Sequence, residues 1–219
     1  MNESFATLEK YSTKWASDSE VSTVLATMIA STTSAMMNKI QSQQLDGKTR
    51  ALLLKRSIDV LQQSRSIVPD YPEVHLNLAI LLRQAGDLEA CLKVTNEAVE
   101  RGFRDYKVFG LRGEVLFVLG GRLLDESRKL AARASAESAE EAKAQAMQLD
   151  QKARQYLETS RESFLEAIKI HPEEVSYWLN LGVLSRNIFR DNAAARKYWQ
   201  RALEIDPKNA RAKKLLSAL

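Results

Sequence analysis

Histidine occurs twice, cysteine once and proline four times in 219 residues, and each scarcity removes a kind of chemistry or architecture. The single cysteine, Cys91, permits no internal disulfide and fits a reducing compartment. His75 and His171 stand at no metal-ligand spacing to each other or to Cys91, so no metal site is expected. Neither a phosphate-binding loop nor a nucleophile motif occurs, and the sequence predicts no enzyme activity, cofactor or small-molecule substrate. Long apolar runs are missing too. The most apolar N-terminal stretch, Val21 to Met37, is crowded with Ser and Thr and makes a poor membrane span. Met1 leads into a polar, acidic stretch rather than a basic and then apolar one, so no secretory signal is expected and the chain reads as cytoplasmic.

With only 8 Gly and 4 Pro to interrupt it, a composition dominated by Ala, Leu, Glu, Lys, Arg and Gln predicts helix throughout. The net charge of +4 is unevenly spread. Arg196, Lys197, Arg201, Lys208, Arg211, Lys213 and Lys214 stand against Glu204 and Asp206 alone, a local excess of five positive charges (seven minus two). The remainder is close to balanced.

A periodic pattern of small and large residues runs through the helical composition. Ser57, Leu61, Ser64 and Pro69 are followed 34 residues later by Cys91, Thr95, Ala98 and Phe103. Ala79 and Gly86 are followed at the same offset by Gly113 and Gly120, with Phe109 at a large position. Ser160, Phe164, Ala167 and Pro172 repeat the series once more, and Trp178, Leu181, Gly182, Ala195, Trp199, Ala202 and Pro207 give its fullest version. Small residues at such places let two helices approach closely, while large ones fill the space between neighbouring pairs.

The series resembles tetratricopeptide repeats over residues 48–207, apart from an insertion of about 35 residues inside the third unit. The resemblance implies an all-α fold, an α-α superhelix of about four helix pairs. The expected single repeat domain, 1–219, divides into a cap helix (1–17), a divergent first repeat (18–71), a second repeat (72–105), a third with its insertion (106–172), a fourth (173–207) and a C-terminal cap (208–219). Phe5, Leu8, Tyr11 and Trp15 give the first cap its apolar face.

The insertion, about 121–154, contains no proline, and its only glycine is Gly121. Ala139, Ala142, Ala146, Leu149, Ala153, Tyr156, Ser160, Ser163 and Ala167 keep alternating steps of three and four, a heptad seam. Leu116, Leu119, Leu123, Leu130 and Ala134 form a looser stripe on the other arm. An antiparallel hairpin is predicted, turning between Arg133 and Glu137, with Ser138 to Glu141 as a capping box and a protrusion of roughly 25 Å. Gly120-Gly121 predicts a kink in the outgoing arm, or a single long helix starting after it.

By the same resemblance, the first helix of each unit lines a concave groove that holds a peptide or helix of a partner protein. Carried over by position, that groove comprises Leu76, Asn77, Ile80, Arg83, Leu111, Glu114, Phe117, Leu179, Asn180, Val183 and Arg186. Family members that clamp acidic chaperone tails use basic residues where this chain has Gly110, Glu114, Leu179 and Val183, so a more apolar ligand is expected. The implied function is a non-enzymatic interaction scaffold. The alternatives are docking of the basic C-terminal end to an anionic membrane or nucleic acid, the latter disfavoured by the lack of interleaved aromatics, and self-assembly through the hairpin.

Overall fold

The computed structural model describes residues 45–133 and 139–219, together with 24, 27, 28, 31, 35, 38 and 40. The expected cap helix 1–17, most of the helix that follows it, the hairpin turn and Ser138 lie outside the described residues. The seven isolated residues are helical, and among the described residues there is no strand. The chain forms two compact units, Met1–Phe103 and Arg104–Leu219.

In the first unit, α1 (Gly47–Ile67), α2 (Pro72–Ala85) and α3 (Leu88–Glu100) pack in sequence order. Each start has a local cause. Asp46 accepts hydrogen bonds from the amide and hydroxyl of Thr49, at 2.9 and 2.6 Å, and caps α1. Pro72 begins α2, where its missing N–H costs nothing. Gly86, at φ +82°, ends α2 in the left-handed conformation, and Asp87 then caps α3 by accepting from Ala90 N at 3.0 Å. The small positions of the repeat meet inside the pair. Cys91 and Ala79 are both buried, and the thiol donates to the Ala79 carbonyl at 3.2 Å. Thr95, which replaces the usual aromatic, turns its hydroxyl back onto the carbonyls of Cys91 and Leu92 and so stays satisfied in the core.

In the second unit, α4 (Tyr106–Arg133) and α5 (Ala139–Ile170) are the long pair, followed by α6 (Val175–Asn187), α7 (Asn192–Ile205) and α8 (Ala210–Ser217). At 1.5 Å per residue, 28 and 32 residues make α4 and α5 about 20 Å or more longer than the 13-residue α6. The inserted residues therefore extend one repeat as an antiparallel hairpin. Its register is regular: Gly113 meets Ser160, Gly120 meets Ala153, and Ser127 meets Ala146. Each step of seven forward along α4 matches a step of seven back along α5, and the space left open at Gly113 and Gly120 is filled by Phe164 and Leu157 of α5. Ser127, itself buried, donates to the Ala146 carbonyl at 2.7 Å and so satisfies its hydroxyl inside the pair.

The expected kink at Gly120-Gly121 is not present, and α4 runs through both glycines. A side chain at Gly120 would meet Leu157 Cγ at 2.7 Å and the Ala153 carbonyl at 3.2 Å, whereas one at Gly121 would meet nothing within 4 Å. Gly120 thus serves close helix approach, and the helical propensity of its neighbours carries the helix through the pair.

A candidate partner-binding surface

On α2 the faces divide cleanly. Val74, His75, Leu78, Ala79, Leu81 and Leu82 are buried, while Leu76, Asn77 and Ile80 are half-buried and Arg83 is exposed. Leu76, Ile80 and Arg83 fall at helical steps of four and three, so they form one outward ridge. Asn77 and Arg83 each have an interaction of their own within the chain. Beneath this ridge the His75 ring lies edge-on to Phe103, with centroids 5.3 Å apart, and its Nε2 is 2.8 Å from the Pro69 carbonyl. Only the Nε2–H tautomer can donate to that carbonyl, which leaves Nδ1 buried without a partner. Burial pulls the ring's pKa below the ordinary histidine value, against the Pro69 bond and Glu97, which pull it up.

On α4, Glu114 and Phe117 are half-buried, but Leu111 is 7% exposed and belongs to the core. Val118, which the sequence reading passed over, is 43% exposed beside Phe117. The only sequence sign of it was a valine one step outside the leucine stripe. Gly110 is covered by the Tyr177 ring, which occupies the space a Cβ would need. Burial, with Glu174 and Glu114 nearby, raises the Tyr177 phenol's pKa, so it stays neutral.

On α6 the expected residues part company. Leu179 is only 4% exposed, in a cluster with Ala195, Trp199, Ala202 and Ala212. Val183 packs against the same cluster, together with Leu215, Leu216 and Leu219 from the C-terminal end. Arg186 donates to the Ala218 carbonyl at 2.6 Å. The C-terminal cap thus engages Leu179, Val183 and Arg186, and Leu179 is a core residue here. Asn180 remains half-buried and makes no side-chain hydrogen bond among the described residues.

Among the described residues no group of three or more His, Cys, Asp or Glu is placed to hold a metal, and no helix is long and apolar enough to cross a membrane.

No family model and no curated protein matches the chain. Solved structures of repeat proteins do. YrrB, described as a tetratricopeptide repeat protein with an unusual peptide-binding site, is 15% identical, with 78% of this chain and 87% of that one covered and a TM-score of 0.33. MamA from Desulfovibrio magneticus, residues 41 to the end, is 19% identical over 81% of this chain and 97% of that one, at a TM-score of 0.32. PilF of Pseudomonas aeruginosa is 16% identical over 84% and 80%, at 0.33. Among the described residues the protein is all-α, and its helix pairs are tetratricopeptide-like. That assignment rests on the packing described above: paired small residues at Ala79 and Cys91, at Gly113 and Ser160, and Gly182 beneath the Trp199 indole.

Proposed function

We propose that the chain is a non-enzymatic scaffold that binds an amphipathic peptide or helix of a partner protein along the first helices of its repeats. The observation that supports this most is the ridge on α2. Leu76 and Ile80 stand one turn apart and partly exposed, on a helix whose opposite face is fully packed. Folding alone does not require two large aliphatic residues there, whereas an amphipathic ligand reads such i, i+4 anchors. Phe117 and Val118 on α4 offer a similar apolar pair within the second unit, and Asn180 on α6 supplies an amide with donor and acceptor for a ligand backbone.

The test is selection of ligands from a displayed library of amphipathic peptides on the full chain, followed by titration calorimetry with Leu76→Glu and Ile80→Glu. Each variant is expected to weaken the selected peptides at least about tenfold, because interfaces of this kind depend on a few apolar anchors. Peptides that bound both variants as tightly as the parent chain would overturn the assignment of the α2 ridge.

A further inference from the structure

The C-terminal end of the second unit carries a charge arrangement that its own folding does not use. Arg196 and Lys197 on α7, Lys208 in the turn, and Arg211, Lys213 and Lys214 on α8 are all exposed. None of them makes an ion pair or side-chain hydrogen bond with any described residue. The two acids nearby are already engaged: Glu204 pairs with Arg201 at 2.8 Å, and Asp206 accepts from the Lys208 amide and from Asn209 Nδ2, at 3.1 Å each. Helix electrostatics account for Lys214, which lies in the last turn of α8 where a cation is favoured, but not for the rest. Lys208 precedes α8 and Arg211 lies in its first turn, at the positive end of the helix dipole, where a cation is unfavourable.

The shape of the patch narrows its partner. Ala212 of α8 is fully buried, and Leu215, Leu216 and Leu219 pack on the cluster around Leu179 and Trp199. The outward face of α8 is left to Arg211, Lys213 and Lys214, flanked by the small Ala210 and Ser217. With its apolar face packed, the helix has nothing to insert into a bilayer core or to lay in a hydrophobic groove. The neighbouring aromatics are engaged as well. The Trp178 indole N–H donates to the Pro172 carbonyl at 2.7 Å, Tyr198 tilts against Trp178, and Arg201 lies 6.0 Å from the centre of the same ring, so these aromatics have partners within the chain. Isolated exposed ion pairs contribute little, so this array is poorly suited to a short acidic peptide. Beside a continuous anionic surface, each basic side chain adds a several-fold factor, and the factors multiply. Four of the six cations are lysines, point charges on flexible stems, which suits diffuse attraction better than bidentate readout.

We infer that the cationic end formed by α7 and α8 docks the protein electrostatically on a bilayer surface containing anionic phospholipid.

Co-sedimentation of the full chain with vesicles tests this, using phosphatidylcholine alone and phosphatidylcholine with about 30% phosphatidylserine, in about 0.1 M salt. Binding is expected only to the anionic vesicles and should fall steeply as salt rises. The triple variant Arg211→Gln, Lys213→Gln, Lys214→Gln keeps Ala212 and the leucines of α8 and should lose at least about tenfold in partition. A control with the same loss of charge on the hairpin, Arg122→Gln, Lys129→Gln, Lys152→Gln, should bind as the parent does, and circular dichroism checks that both variants are folded. Three results would overturn the inference: no retention by anionic vesicles, an equal loss in both variants, or tighter binding of a labelled DNA duplex or oligoglutamate peptide in the same buffer.

Discussion

The hydroxyl of Ser160 donates to the carbonyl of Gly113 across 2.7 Å, joining the two long helices at a pair of small residues. Beside this contact, a Cβ on Gly113 would lie 2.9 Å from the Phe164 ring, so hydrogen bond and close approach are parts of one arrangement. Replacing Ser160 by Ala should cost about 1 kcal/mol or somewhat more, because the donor is lost at a buried site. Denaturant unfolding followed through the tryptophans of the second unit measures it.

The adjacent glycines of α4 should respond with opposite sign. Gly120→Ala pushes a methyl group into the buried Leu157 and is expected to destabilise by about 1–3 kcal/mol, beyond what helix propensity returns. Gly121→Ala meets nothing and should stabilise by up to about 1 kcal/mol through propensity alone. Paired denaturation curves decide this, and equal effects would contradict the hairpin packing.

Leu179→Ala is expected to cost about 2–5 kcal/mol, as for other buried leucines. Its cluster also holds Trp199, whose indole N–H donates to the Leu179 carbonyl at 3.2 Å. The loss should appear in thermal melts and as faster amide exchange in α8. By contrast, Leu76→Glu on the partly exposed α2 ridge should leave the melting profile close to that of the parent chain.

Acidification should weaken the first unit. His75 has a folded pKa below its unfolded value, so the unfolded chain takes up the proton first. Its contribution to stability is fully present above about pH 6.5 and declines as pH falls through the depressed folded value. Protection factors of α2 and α3 amides, which correct for the intrinsic pH dependence of exchange, should therefore fall as pH drops below about 6.5, and His75→Leu should flatten that dependence.

The repeat was legible because its signal is steric and local. Ala79, Cys91, Gly113, Ser160 and Gly182 had to be small wherever two helices touch, and an offset of 34 residues exposes that requirement without coordinates. The alanine seam of α5 was legible for the same reason, through steps of three and four. Gly120 misled because propensity describes an isolated helix, while its neighbour Leu157 comes from a segment more than thirty residues away.

Sequence by itself determined the helical class, the repeat offset and the doubling back of the inserted arms, since each follows from residue size and spacing along one chain. Tertiary structure alone decided which faces stayed open. Periodicity says that Leu76 and Leu179 lie at equivalent places on their helices, but burial depends on what packs there. Over Leu179 and Val183 it is the C-terminal leucines, whose apolar side chains leave water by covering them.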